Sequence, residues 1–94
     1  MSVGFVAFHY PAAAHFDDFV DRVGRVAEFL GTTRGCLSVD YWVTDDNAAV
    51  VSAAHWETED DYTAAFTLDG APDIDIAFDE REVRPREIYK LYSR

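Results

Sequence analysis

The pattern of apolar and polar positions predicts a strand and then a helix at the start of the chain. Val3 to Tyr10 (VGFVAFHY) is rich in β-branched and aromatic residues and stops at Pro11, which is typical of a strand followed by a break. From Phe16 to Leu30 the apolar residues recur at spacings of three and four, the pattern of a helix with one buried face. Gly31 follows as a candidate helix stop.

A hairpin and a second helix are predicted in the middle of the chain. Apolar and polar residues alternate from Cys36 to Thr44, and Ala48 to Trp56 is also typical of a strand. Asp45 to Asn47, between the two strands, has the composition of a turn. Thr58 is the expected N-cap of a second helix. The inner side of that helix would carry Tyr62, Ala65 and Phe66.

The end of the chain is predicted to return to the sheet. Gly70 and Pro72 interrupt the second helix, and later apolar residues predict another helical turn or two. Those residues are Ile74, Ala77 and Phe78. Val83 to Tyr92 is the last strand, with Pro85 marking a sheet edge or a bulge. The order β-α-β-β-α-β predicts one α+β domain over residues 1–94, ferredoxin-like, with a four-stranded antiparallel sheet.

Both faces of the predicted sheet carry apolar residues. In the first strand one face holds Val3, Phe5 and Ala7, and the other holds Val6, Phe8 and Tyr10. Two short helices can cover one face of a four-stranded sheet, but not both. The second face would be a larger apolar patch than a soluble monomer usually exposes. We therefore predict a symmetric homodimer with the two sheets packed face to face.

Charge and composition limit the partners and the location. The chain has 94 residues with 18 acidic and 8 basic side chains, so its net charge of −10 disfavours nucleic acid and anionic membranes as partners. A neutral or weakly acidic aromatic molecule remains compatible. Cys36 is the single cysteine, which fits a reducing compartment. The sequence shows no signal peptide and no apolar stretch of roughly 20 residues, so we expect a cytoplasmic protein.

Three strings within this pattern carry a family resemblance. They are VGFVA in the first strand, GCLSVDYW after the first helix, and AAVVSAAHWETEDDY, where a strand ends in Trp-Glu-Thr and enters a helix. With the order of elements, they resemble the antibiotic biosynthesis monooxygenase family of dimeric α+β barrels. The sequence is especially similar to small actinobacterial members that oxidise aromatic polyketides without flavin, haem or metal. The resemblance implies a cofactor-independent oxidoreductase that converts anthrone- or hydroquinone-type substrates to quinones with O₂.

The resemblance also implies site residues. Trp56 matches the family's tryptophan at the end of strand three, where it would wall the pocket or donate its indole N–H to a substrate oxygen, unless it is a core aromatic. Tyr62 matches a helix tyrosine that could hydrogen-bond a phenolate, but its spacing to Phe66 also suits core packing. Ser52 stands where the polyketide-oxidising relatives have asparagine, and it keeps a hydroxyl on the strand face of Trp56. Asp69 to Phe78 offers no arginine where those relatives carry a substrate-contacting one.

The three histidines are candidates for proton transfer near neutral pH. His9 ends strand one on the face of Ala7, and it would enter a pocket if that face lies under the helices. His55 should face away from Trp56, toward the dimer interface, and His15 is expected to be solvated. The sequence contains no metal motif and lacks the second-helix tryptophan and following histidine of haem degradation, so no metal or cofactor is expected.

Three functions therefore compete. The first is a cofactor-independent monooxygenase acting on an aromatic polyketide-type substrate. The second is a dimeric module that binds a small ligand without turnover, and it is motivated by the missing asparagine and arginine. The third is a polyketide cyclase or isomerase of the same fold.

Overall fold

The computed structural model of the chain describes residues 2–67 and 81–94, and its elements follow the predicted order. The strands are β1 (Val3–His9), β2 (Cys36–Val43), β3 (Val50–Trp56) and β4 (Glu87–Tyr92). The helices are α1 (Phe16–Gly31) and α2 (Glu59–Ala65), and a short 3₁₀ helix, Ala13–His15, leads into α1. The predicted break at Gly70 and Pro72 and the helical turns around Ile74, Ala77 and Phe78 lie outside the described residues.

The strands form one sheet that carries both helices on the same face. Over the described ranges the sheet has four strands in the order β2-β3-β1-β4, and every neighbouring pair is antiparallel. Val3 in the central strand β1 lies opposite Trp56 of β3 and Tyr92 of β4, which fixes the register of both pairs. The α+β, ferredoxin-like prediction is confirmed.

The ends of two elements differ from the sequence prediction. β4 begins at Glu87 rather than at Val83, because Pro85 has no N–H to donate to a strand ladder. The preceding residues instead form an isolated bridge between Pro11 and Glu82. The hairpin is also wider than predicted, since β3 begins at Val50 and the backbone N–H groups of the two residues before it are bonded to the Thr44 hydroxyl at 3.0 Å.

α1 is closed by threonine hydroxyls. Gly31 is the last helical residue, and the next residue, Thr32, donates its hydroxyl to the Phe29 carbonyl at 2.7 Å. Thr33 donates in the same way to the Leu30 carbonyl at 2.6 Å. The same two carbonyls also accept the backbone N–H groups of Thr32 and Thr33 at 3.1 Å, so side-chain and backbone donors together close the helix C-terminus.

The face of the sheet under the helices holds the core. Phe5, Trp56, Tyr62 and Phe66 contact one another there through their rings, at centroid distances of 5.2–6.2 Å, and we call them the aromatic cluster. A second group joins α1 to the start of β3 and consists of Phe19, Val23 and Val50. The two groups leave a space between them along β1.

The other face of the sheet, which we call the open face, carries apolar side chains that no described element covers. Trp42 is 64% exposed, Tyr89 49% and Leu91 50%. Strand parity adds half-buried residues of β1 and β3 to the same face, namely Val6, Phe8, Val51 and Ala53. The apolar character of both faces is thus present in the structure, whereas the homodimer stays a prediction. No helix in the described ranges is long and apolar enough to cross a membrane.

Candidate functional site

A cavity of about 60 Å³ lies between α1 and the sheet. Its described lining is mostly apolar and comes from α1, from the residue that follows α2, and from strands β1, β3 and β4 with the residue before β4. The apolar lining residues are Phe5, Ala7, Phe19, Val23, Val26, Phe66 and Ile88. Its polar lining residues are His9, Arg22, Ser52 and Arg86. An apolar pocket with a few polar groups is the usual form of a small-molecule site.

The register of the sheet explains why two of the expected site residues meet in this cavity. Ala7 lies opposite Ser52 of β3 and opposite Ile88 of β4. His9 is two residues further along β1, so its side chain points to the same face of the sheet. His9 and Ser52 therefore line one cavity beneath α1.

His9 belongs to a group of three buried polar side chains, which we call the buried triad. His9 Nδ1 lies 3.4 Å from Glu82 Oε1, and Arg86 Nη2 lies 3.4 Å from the same oxygen. Arg86 also donates its Nε–H to Glu82 Oε2 at 3.4 Å. The side chains are 13%, 0% and 6% exposed for His9, Glu82 and Arg86 respectively. Only the Nε–H contact is a hydrogen bond, and it is a long one, whereas His9 Nδ1 and Arg86 Nη2 lie at ion-pair distance from Glu82 without a hydrogen bond.

Burial and positive charge keep the His9 imidazole neutral. Loss of hydration lowers the pKa of His9 most, and the guanidinium groups of Arg86 and then Arg22 lower it further, to about 4. A neutral imidazole has a nitrogen lone pair that can accept a proton. At neutral pH, His9 is therefore available as a proton acceptor beside two cationic groups.

The other two expected site residues lie outside the described lining of the cavity. Trp56 is fully buried, and its indole N–H donates to the Thr33 hydroxyl at 2.8 Å. Tyr62 packs edge-to-face on Trp56, and the Lys90 ammonium lies 5.1 Å from the centre of its ring. Burial raises the pKa of Tyr62, and the nearby Lys90 charge opposes that shift. Neither residue is in the described lining, but both contact Phe66, which does line the cavity.

Sequence reasoning missed three charged residues near the cavity. Arg22 could have been found from the sequence, because it follows Phe19 by three positions and so lies near the buried face of the predicted helix α1. Arg86 precedes Ile88 by two positions and shares its strand parity. Glu82 offered no such signal, because it lies before the strand and is placed by its bridge to Pro11. The segment in which the sequence offers no arginine, Asp69 to Phe78, lies outside the described residues.

The remaining histidines lie away from the cavity. His55 is on the open face, where its Nδ1 lies 2.8 Å from the Ser38 hydroxyl oxygen. His15 ends the 3₁₀ helix before α1. Among the residues that the structure describes, no group of three or more histidine, cysteine, aspartate or glutamate side chains has the spacing of a metal site.

Comparison with known proteins gives a family match and several similar folds. Residues 2–71 match the model of a family described as antibiotic biosynthesis monooxygenase. SnoaB of Streptomyces nogalater, described as a cofactor-independent oxygenase, is similar in structure with a TM-score of 0.80 and 20% identity, over 99% of this chain and 93% of that one. A conserved protein from Methanosarcina mazei gives a TM-score of 0.83 at 14% identity, over 100% and 94% of the two chains. Rv0793 of Mycobacterium tuberculosis gives 0.78 at 15% identity, over 99% and 95%. No curated protein sequence matches the chain.

Proposed function

Because the chain belongs to the antibiotic biosynthesis monooxygenase family, we propose that it is a cofactor-independent monooxygenase. Its substrate would be an aromatic, polyketide-type molecule of the anthrone or hydroquinone class, oxidised with O₂ in secondary metabolism. The observation that carries this proposal is the neutral imidazole of His9, held in a mostly apolar cavity beside two guanidinium groups.

The reaction begins with removal of a proton from the substrate. An anthrone or phenol that loses a proton becomes an electron-rich anion, which can give one electron to O₂. The resulting radical and superoxide combine to a peroxide at the ring carbon. Cleavage of the O–O bond leaves one oxygen atom as the new carbonyl, and the other departs as water with the two hydrogens that the substrate loses. For an anthrone or a phenol the atoms and electrons balance without a further oxidant. A hydroquinone already carries both quinone oxygens, so it gives two electrons and two protons to O₂, which leaves as H₂O₂.

The cavity residues have distinct roles in this scheme. His9 accepts the substrate proton and returns it to the peroxide. Arg22 and Arg86 stabilise the substrate anion electrostatically, and their effect is large because the surroundings are mostly apolar. Ser52 offers a hydroxyl to the same oxygen. Formation of the anion offsets the two positive charges that lower the pKa of His9, so protonation of the imidazole becomes more favourable as the substrate proton is transferred.

The size of the cavity requires a change on binding. A cavity of about 60 Å³ is smaller than the roughly 150 Å³ space that holds benzene in an engineered protein. An aromatic ring therefore enters only if a lining side chain moves. Phe66 is suited to this movement because it is half-buried and directly follows the last residue of α2. Trp56 and Tyr62 would take part by holding Phe66 in the closed position rather than by contact with the reacting oxygen.

The same proposal includes a homodimer in the cytoplasm. The uncovered apolar residues of the open face support a second copy as the partner, because burial of that surface in a dimer would remove it from water.

Oxidation of dithranol, a dihydroxyanthrone, tests the function directly. Purified protein should consume O₂ and form the corresponding quinone faster than the protein-free solution. His9→Gln should lower the protein-dependent rate by about two to four orders of magnitude, the usual contribution of a general base. His15→Gln is the matched control, since His15 lies outside the cavity lining, and it should keep the parent rate. Equal rates for the parent and His9→Gln would remove His9 from the mechanism.

A binding module without turnover is the second candidate. The small volume of the cavity favours it, because a few water molecules or a small polar ligand fit the space without rearrangement. Under this alternative the protein binds dithranol or hydroquinone but leaves the rate of O₂ consumption unchanged.

A further inference from the structure

Two polar atoms at the cavity are left without a hydrogen bond. His9 Nδ1 and Arg86 Nη2 are both buried, and neither makes a hydrogen bond in the structure. A buried polar group without a partner is costly, and the cost is higher for a charged group. The Arg86 side chain is more than nine-tenths buried and is one of the residues that line the cavity, so a ligand there would lie beside its guanidinium group.

The chemistry of these atoms selects the type of ligand group. Arg86 can only donate hydrogen bonds, and its planar guanidinium matches the two oxygens of a carboxylate. The described lining residues include two guanidinium groups and no carboxylate. Glu82 contacts Arg86 only at 3.4 Å, which is long for a charge-assisted hydrogen bond. A ligand carboxylate could therefore bind Arg86 at shorter distances than Glu82 does.

We propose that the substrate is an aromatic carboxylic acid whose carboxylate binds Arg86, with the reacting hydroxyl next to it at His9. This inference rests on the proposed function, since it names the substrate class of the same cavity. It also explains how a buried imidazole can serve as a base. The groups that face His9 are Glu82 and Arg86 from the segment before β4, and Arg22 and Phe19 from α1. A carboxylate bound at Arg86 offsets the repulsion from that guanidinium and raises the pKa of His9 from about 4.

The test compares gentisate with gentisamide, which has the same ring and hydroxyls but an uncharged amide in place of the carboxylate. Binding is measured by NMR titration without O₂, so that oxidation does not interfere. We expect gentisate to bind about 10- to 100-fold more tightly than gentisamide, the range for charge-assisted hydrogen bonds to one guanidinium. Equal affinities, or no binding of gentisate at millimolar concentration, would overturn the proposal.

A substitution that keeps the charge locates the binding group. Arg86→Lys retains a cation beside Glu82 but loses the planar pair of donors, so it should reduce the preference for gentisate at least several-fold. Arg84→Lys is the matched control, because Arg84 is 59% exposed and lies outside the cavity lining. It should keep the parent preference. If Arg86→Lys does not fold, the comparison of the two ligands on the parent protein still decides the proposal.

The same reagents separate this inference from the proposed function. If gentisate binds as expected but dithranol is not oxidised faster than in the protein-free solution, the carboxylate site stands and the monooxygenase fails. If dithranol is oxidised as expected and gentisate binds no better than gentisamide, the monooxygenase stands and the carboxylate site fails.

Discussion

His9 links the stability of this protein to pH. Its imidazole is kept neutral by burial and by Arg86 and Arg22, which lower the pKa of His9 to about 4. In the unfolded chain the same imidazole titrates near 6.5. Between these two values the unfolded state binds a proton that the folded state does not bind. The folded state therefore loses stability as the pH falls from 6.5 to 4, and the loss levels off below that window.

This window gives a prediction at the scale of the residue. His9→Gln removes the titrating group, so its unfolding free energy should fall less steeply than that of the parent between pH 6.5 and pH 4. The difference should be about 3 kcal/mol over the window, given the pKa of about 4 in the folded state. Urea denaturation at a series of pH values measures the unfolding free energy of both proteins. Because the two proteins share the carboxylates that titrate in the same pH range, the difference between their curves removes the contribution of those carboxylates. Parallel curves for the two proteins would contradict the burial of His9 in its neutral form.

At the scale of the element, α2 connects the aromatic cluster to the cavity. The Thr58 hydroxyl accepts a hydrogen bond from the Asp61 backbone N–H at 3.1 Å and so caps the helix. Tyr62 and Phe66 are four residues apart and pack together on the inner side. Phe66 then lines the cavity. Thr58 caps the seven-residue helix α2 and so helps to hold Phe66 in the cavity wall, although Thr58 itself is not a lining residue.

Removal of the cap is the prediction at this scale. Thr58→Ala should lower the unfolding free energy by about 0.5–2 kcal/mol, because it leaves a backbone donor at the start of α2 without its partner. Thr63→Ala is the control, since Thr63 is exposed in the same helix and alanine is the better helix former. Thermal or urea unfolding of the two variants checks the difference. Equal loss in both would show that the cap does not stabilise α2.

The elements were more predictable from sequence than the site was. Alternation placed β2 within one residue of its observed limits, because a strand shows its period of two directly, and strand-typical composition placed β1 and β3 within two residues of theirs. The predicted start of β4 at Val83 was wrong, because the strand begins only at Glu87, two residues after Pro85. Strand parity brought His9 and Ser52 to one face, but it could not show that Thr33, from the end of α1, accepts the indole N–H of Trp56. Contacts between distant elements carry no signal in local periodicity.

At the scale of the whole molecule, the charge of the surface and the charge of the cavity have opposite signs. The chain carries a net charge of −10, which repels polyanions over distances of about a Debye length. Inside, two guanidinium groups line a mostly apolar space. A small monoanion meets little electrostatic repulsion from such a surface in physiological salt, because the salt screens the charges. Once it is desolvated in the cavity, it would form strong hydrogen bonds with a guanidinium group. This contrast in charge supports the proposed small acidic ligand.

Self-association through the open face is the prediction at this scale. Val51 lies on the open face, half-buried, in the inner strand β3. In a face-to-face homodimer, Val51→Glu would bury a carboxylate on each chain, so sedimentation should change from twice the chain mass for the parent to one chain mass for the variant. Val83→Glu is the matched control, because Val83 is 69% exposed and lies outside the sheet. It adds the same charge and should leave the dimer intact. A parent protein that sediments as a stable monomer at micromolar concentration would contradict the dimer, and loss of the dimer in both variants would attribute it to net charge rather than to the open face.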